Sequence, residues 1–278
     1  MRLAFLTLLL LAGLAGCGRA HPSSAGLPVE QLEAARSEQL ALLDVAADPA
    51  SGWPSATDCD AAIWAGEARL AGVASVQMQE ALQPDGRPTR LPGADCPAAS
   101  HTTSTDMQLG TILGLLASID RDGLELLQSY SEDHQGVVGT PLATATDLAF
   151  VEMKPGTRSL LALATHHVGG AGADPWLELP IVYSPPFADY TLHLALLSLL
   201  GERMVGSEGP VDRELEDILC AANPSDALAQ ATCGNLGTAA DLILSPSYTD
   251  PSYVRGAPGY SPASRLLVIH LILNGGTP

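Results

Sequence analysis

Three aspartates occupy positions where apolar helices are expected to begin: Asp58, Asp60 and Asp106. Hydrolysis of a glycosidic bond uses two carboxyl groups beside a cleft, one protonated as the acid and one ionised as the base or nucleophile. Asp60 and Asp106 suit these roles best, because each lies just ahead of an apolar helix and can point into a central cavity. The alternative is helix capping, since an aspartate there accepts free backbone amides and complements the helix dipole.

Two histidines add further candidates. His134 follows a predicted helix beside Asp133, where an imidazole can act as a general acid or base, although a histidine in a loop is commonly only a solvated side chain. His193 lies on a very apolar segment, three residues after Tyr190 and on the same helix face. Tyr190 and His193 are therefore candidates for substrate binding. The alternative for His193 is a core histidine bonded to a carbonyl group.

Aromatic residues in predicted loops form a second set of candidates for substrate binding. An aromatic ring offers an apolar face with a polar edge, which suits stacking against a sugar. The same rings could instead seal the ends of a helical core. The members singled out for binding are Trp53, Trp176 and Tyr260.

The cysteines predict disulfides. Besides Cys17 the chain has Cys59, Cys96, Cys220 and Cys233, an even number that in an exported protein indicates two disulfides. Three pairings are possible, and we favour Cys59–Cys96 with Cys220–Cys233 because each closes a local loop. A zinc site is the alternative, but no CxxC or CxxH spacing is present. We therefore expect neither a metal nor a cofactor.

The charge balance narrows the classes of partner. The chain has 31 acidic and 13 basic side chains and a net charge of −18. This excess argues against nucleic acid, whose phosphates are bound by lysine and arginine. An acidic, soluble surface is the simpler interpretation. Few charges and 46% hydrophobic residues are typical of a packed globule rather than a disordered chain.

The elements that position these residues are helices. Apolar residues recur at helical spacing along the chain, with proline or aspartate at the starts and glycine at the stops. We therefore predict a single all-α domain over residues 28–278, with eleven or twelve helices arranged as αα-hairpins. Such helix pairs pack as an α-solenoid or a closed α/α toroid, and the absence of a fixed sequence period favours the toroid. The expected helices cover 29–43, 61–70, 75–82, 105–119, 124–130, 140–151, 159–166, 188–204, 211–221, 225–231, 237–244 and 261–273.

The first residues of the chain predict export. Arg2 precedes the uncharged apolar run Leu3–Leu14, which is too short to span a bilayer, and Leu14-Ala15-Gly16-Cys17 follows. This ending resembles a bacterial lipobox. The resemblance implies a signal peptide over residues 1–16 and a lipid on Cys17; the alternative is an ordinary signal peptide cut elsewhere. Small and polar residues predict a flexible tether over residues 17–27. It places the protein in the bacterial cell envelope, attached to a membrane by its lipid; Gly18 hints at the outer membrane.

Three further segments carry a second resemblance. They are Asp58-Cys59-Asp60-Ala61-Ala62-Ile63-Trp64, Thr105-Asp106-Met107-Gln108-Leu109-Gly110 and Tyr190-Thr191-Leu192-His193-Leu194. In order and spacing they resemble segments of bacterial exported proteins related to the α/α-toroid carbohydrate-active enzymes. The resemblance implies a helical toroid.

Two functions follow as hypotheses. The first is carbohydrate processing of the glycoside hydrolase type, with Asp60 and Asp106 as the catalytic carboxyl groups and His134 as a third candidate. The second is a non-catalytic envelope protein that binds a glycan or another envelope protein through its acidic surface. Converging carboxyl groups would favour the first hypothesis, and carboxyl groups scattered over separate helix starts would favour the second.

Overall fold

The computed structural model describes residues 26–47, 53, 59–92, 99, 101–142, 149–171, 189–206, 210–248 and 260–278. Across these residues the chain is mostly helical, so the predicted all-α class is confirmed at that level. The described elements, in chain order, are α1 Val29–Ala46, α2 Ala61–Leu70, a 3-10 helix Met78–Ala81, α3 Thr105–Ala117, α4 Arg121–Asp133, β1 Val137–Gly139, β2 Val151–Glu152, α5 Pro155–His167, α6 Asp189–Met204, α7 Pro210–Ala222, α8 Ala227–Thr232, α9 Leu236–Leu244 and α10 Tyr260–Leu273.

The helices differ in how completely they are buried. In α2, α3, α6 and α10 nearly every described residue is buried, so these helices are surrounded by protein on all sides. In α4, by contrast, buried residues recur at helical spacing and the other face is exposed. One large hydrophobic cluster contains residues from Leu32 in α1 to Ile272 in α10, and a small second one contains Cys59 and Ala99. The apolar helices thus form the interior, and amphipathic helices cover them.

Helices α2 and α3 touch backbone to backbone. A Cβ atom built on Gly66 would lie 2.2 Å from the carbonyl oxygen of Gly110, and one on Gly110 would lie 2.3 Å from the Cα atom of Ile63. Near the other end of the pair, Arg69 Nε donates to Ser118 Oγ at 2.9 Å. Early residues of α2 therefore meet early residues of α3, and late residues meet late ones. The two helices run in the same direction.

A tight turn reverses the chain between α3 and α4. The Asp120 carboxylate accepts a hydrogen bond from the Gly123 amide at 3.0 Å, which caps the first turn of α4. The helix consequently begins at Arg121, three residues before the predicted start at Leu124. Helix α4 then runs back along α3, with which it is in contact.

The predicted helix over 140–151 is wrong at both of its described ends, 140–142 and 149–151. Strands β1 and β2 pair antiparallel instead, with Val137 opposite Glu152 and Gly139 opposite Val151, and Pro141 forms an isolated bridge with His101. A threonine followed by proline is a common helix start, but here the preceding residues pair with a strand more distant in the sequence. Residues 143–148 lie outside the described part of the chain.

Helix α10 confirms the helix predicted over 261–273, and Gly275 and Gly276 follow it with φ of +70° and +86°. The short helix expected over 75–82 is the 3-10 helix. The described residues hold ten α-helices and this 3-10 helix, against eleven or twelve predicted. The signal peptide expected over residues 1–16 and residues 17–25 of the tether lie outside the described residues.

Candidate functional site

Asp60 is held by an arginine from the loop after α2. It is the residue that precedes α2, yet its side chain makes no capping hydrogen bond to that helix. Instead its Oδ1 atom lies 2.6 Å from Nη1 of Arg90, with 26% of the Asp60 side chain and 12% of the Arg90 side chain exposed. The capping interpretation of Asp60 is therefore wrong in its detail, because the carboxylate forms an ion pair.

Arg90 joins two segments besides binding Asp60. Its Nε atom donates to the carbonyl of His101 at 3.0 Å, and its own carbonyl accepts from the Ala62 amide at 3.0 Å. This guanidinium thus fastens the start of α2 to the residues just before α3.

Asp106 occupies the first turn of α3. Ser104 is the residue that precedes this helix, and its hydroxyl donates to the Asp106 carboxylate. A carboxylate in the first turn also complements the helix dipole. Asp106 thus contributes to the start of α3 from within the helix, and the described contact involves a residue two positions away.

His134 follows the last residue of α4 and is exposed. Its Nδ1 donates to the Tyr130 carbonyl at 2.8 Å, and its ring stacks on Tyr130 with the centroids 4.0 Å apart. In the neutral ring Nε2 is then the nitrogen with a lone pair. The residue that orients the imidazole is therefore Tyr130, which is not one of the predicted site residues.

The three predicted catalytic residues share one end of the fold. Because α2 and α3 run in the same direction, Asp60 and Asp106 lie at the same end of the pair. Because α4 runs back along α3, His134 returns to that end, where Thr140 accepts from the Thr102 amide at 3.0 Å. From these helix directions we infer that the three residues lie toward one end of the fold, which we call the Asp60 end, and each has a different described neighbour.

The predicted ligand-binding aromatics are placed differently. Trp53 is fully buried, and its indole Nε1 donates to the Gln77 carbonyl at 2.9 Å, so the ring is part of the core rather than of an open surface. Tyr190 and Tyr260 lie in the first turns of α6 and α10, and their side chains are outside the described part of the structure. Trp176 also lies outside the described residues, as do Asp58 and Cys17.

A buried pair that the sequence analysis missed joins α2 to α6. His193 Nε2 lies 2.5 Å from Oε1 of Glu67, and neither side chain has any exposed surface. The Trp64 ring lies 6.1 Å from the His193 ring. A histidine–carboxylate pair can orient an imidazole or hold a proton, but full burial leaves a substrate no access to it. His193 is thus a core histidine whose Nε2 is bonded to a carboxylate.

A signal for this pair was present in the sequence. Glu67 is the one acidic residue in the otherwise apolar stretch of α2 from Ala61 to Ala68, and His193 interrupts an equally apolar stretch of α6. Lone polar residues on two buried helices need partners, because an unpaired buried charge is expensive. Each of the two residues therefore indicates that a polar partner exists, but the local sequence does not indicate where in the chain that partner lies.

The structure tests one of the two predicted disulfides. Cys220 and Cys233 form a disulfide with a Cα–Cα distance of 6.1 Å, which confirms that pairing. Cys59 is buried and forms no disulfide within the described residues. Its expected partner, Cys96, lies outside them.

The chain matches no protein-family model, and searches of curated proteins and of solved structures found no significant match. Among the described residues, no helix combines the length and apolarity that a membrane crossing needs.

Proposed function

We propose that this protein is a lipid-anchored component of the bacterial envelope whose helical domain binds a partner and is not an enzyme. The anchor rests on the lipobox-like residues Leu14–Cys17. The Cys220–Cys233 disulfide supports an oxidising location outside the cytoplasm. An outer-membrane position, suggested by Gly18, is part of the same proposal.

One observation carries the choice of binding over catalysis. Each predicted catalytic side chain has a contact of its own: Asp60 with Arg90, Asp106 with Ser104, and His134 with Tyr130. Glycoside hydrolysis needs one carboxyl group that is protonated and another that is free to act as base or nucleophile. Asp60 is instead engaged by Arg90 at 2.6 Å, in a contact that joins the start of α2 to the residues before α3.

The charge of the chain indicates what kind of partner fits. With 31 acidic and 13 basic side chains, its surface attracts basic protein surfaces and repels polyanions. An envelope protein with a basic face, or an uncharged glycan, is compatible with this field.

Carbohydrate processing within an α/α toroid is the second candidate. The observation that favours it is the common location of Asp60, Asp106 and His134 at the Asp60 end. The buried helices α2 and α3, which run in the same direction, and the returning outer helix α4 are compatible with a toroid. In this function Asp60 and Asp106 flank a glycan and His134 assists proton transfer.

An assay of polysaccharide turnover distinguishes the two functions. The full chain and the D60N/D106N double variant are assayed for release of reducing ends from a panel of polysaccharides, with D44N at an exposed α1 position as the matched control. The binding function predicts no turnover by any of the three proteins. Turnover by the native chain and by D44N, lost in the double variant, would establish carbohydrate processing instead.

The anchor has a separate test. Metabolic labelling with an alkyne fatty acid should tag the native chain, and C17S should lose both the label and the membrane association. A C17S chain that is still labelled and still sediments with membranes would contradict the proposed anchor.

A further inference from the structure

The Cys220–Cys233 disulfide has a buried carboxylate beside it. Glu216 and Cys220 are four residues apart on α7 and share a helix face, while Cys233 directly follows α8. One carboxylate oxygen of Glu216 and the two sulfur atoms all lie within 4.8 Å of one another. Two potential thiolates and a carboxylate are thus collected at one point between two helices.

An arginine from a third helix fixes this carboxylate. Arg203 on α6 places Nη2 2.7 Å from Oε2 of Glu216, and its Nη1 donates to the carbonyl of Thr232 at 2.6 Å. Thr232 immediately precedes Cys233. Arg203 therefore ties together both sides of the cluster, in the manner of the outer partners that orient metal ligands.

The three groups have the chemistry of a zinc site. Zinc is bound by thiolate sulfur at about 2.3 Å and by carboxylate oxygen at about 2.0–2.2 Å, commonly as three protein ligands and one water. Two such sulfur atoms around one ion lie about 3.8 Å apart, a separation that side-chain rotation can reach from cysteines whose Cα atoms are 6.1 Å apart. Two thiolates, one carboxylate, the Arg203 guanidinium and a divalent cation sum to zero charge, which suits a half-buried position.

We propose that Glu216, Cys220 and Cys233 bind a thiophilic divalent cation of the zinc type when the disulfide is reduced. A dithiol reductant donates two electrons and two protons to the Cys220–Cys233 bond, breaks it and is itself oxidised to a disulfide. The cation then displaces the two thiol protons and takes Glu216 as its third protein ligand. The oxidised chain has no such site, so binding reports the redox state of the two cysteines.

Cobalt(II) serves as the spectroscopic probe, and it is titrated into the full chain in detergent. The chain is used either oxidised or after treatment with dithiothreitol and anaerobic desalting. We expect the reduced chain to bind one cobalt ion with thiolate-to-cobalt charge-transfer absorption, which zinc then displaces, and the oxidised chain to show none. C220S and C233S should each lose this absorption. E216Q should keep part of it with affinity reduced about tenfold or more.

Asp217 provides the matched control, because it neighbours Glu216 on α7 but is exposed. D217N should bind as the native chain does. The proposal is overturned if the reduced chain binds no cobalt, if C220S retains the signal, or if E216Q binds as tightly as D217N.

Thermal unfolding gives an independent readout that does not depend on the variants. Zinc should raise the Tm of the reduced native chain and leave that of the oxidised chain unchanged. A reduced chain that has no folding transition with or without zinc would also overturn the proposal.

Discussion

His193 and Glu67 are 126 residues apart in sequence, and the Nε2 of one lies 2.5 Å from the Oε1 of the other in the fully buried contact between α6 and α2. The surroundings on both helices are apolar, so water cannot compensate for the loss of either partner. A buried pair of this kind is costly to break, because the remaining polar group stays desolvated. The pair therefore links α2 to α6 through their side chains in the interior.

The first prediction concerns this pair. E67A and H193A should each lower the free energy of unfolding by about 3–5 kcal/mol, and the double variant should lose much less than the sum. Urea unfolding of the four proteins of this cycle measures the coupling. The exposed pair Glu33–Arg36, with atoms 3.9 Å apart, is the control and should couple by less than about 1 kcal/mol. Additive losses at Glu67 and His193 would show that the two side chains stabilise the fold separately.

The second prediction concerns the crossing of α2 and α3. G66A and G110A each introduce a Cβ atom closer than 2.5 Å to backbone of the facing helix, so the helices must separate. Each should lower the free energy of unfolding by about 3 kcal/mol or more. Gly237 in α9 has no atom within 4 Å of a built Cβ, and G237A should be neutral or stabilising by up to about 1 kcal/mol. Equal effects of the three substitutions would contradict the described contact.

The third prediction concerns acid pH. Burial, with a smaller contribution from the charge of Arg36, lowers the pKa of His270 below its ordinary value of 6.5. On acidification the unfolded chain binds this proton first, so the stability is complete above about pH 6.5 and declines as the pH falls through the lowered pKa. Between about pH 7.5 and about pH 5, H270Q should lose less stability than the native chain, and R36Q should be intermediate.

Glu125 does not interfere in that interval. The Ala171 amide and then the Arg121 side chain lower the pKa of Glu125 below 4.5, so its contribution is lost only at more acid pH. Urea midpoints at the two pH values are the measurement. Identical pH dependence in H270Q and the native chain would show that another group is responsible.

The fourth prediction concerns the disulfide. Cys220 and Cys233 are separated by 13 residues in sequence, and cross-linking over such a loop stabilises a fold by about 3 kcal/mol. The C220S/C233S double variant should lose this amount in guanidinium unfolding with a chelator present. The reduced native chain should unfold at the same denaturant concentration as the variant. A difference between these two proteins would indicate an effect of the serines beyond the lost bond.

Much of the helical architecture could be predicted because its signals are local. Helix α2 has the predicted bounds Ala61–Leu70, and Gly72, with φ of +79°, ends it as a left-handed residue should. Helix α10 likewise extends to Leu273 and is followed by two glycines. The strand pair escaped prediction because its pairing joins Val137 to Glu152 across a stretch whose threonine and proline favour a helix locally.

In the candidate site, too, local features could be predicted from the sequence and long-range contacts could not. That Asp60 precedes a helix follows from the sequence, but its partner is Arg90, thirty residues further on, and no spacing rule connects the two. The Cys220–Cys233 bond could be predicted because it closes a local loop. The approach of Arg203 to Glu216 depends on how α6 packs against α7, and only the folded chain contains that information.

The Gly66–Gly110 contact has a consequence for descent. Glycine is the smallest residue, so no substitution fits where the backbones of α2 and α3 touch. A distant relative of this chain therefore has to keep both glycines or lose this helix crossing. The surface can diverge beyond recognition while these two positions stay fixed. A pair of glycines 44 residues apart, the first followed at once by a lone glutamate and matched by a histidine in a later apolar helix, is therefore the signature by which such relatives would be found.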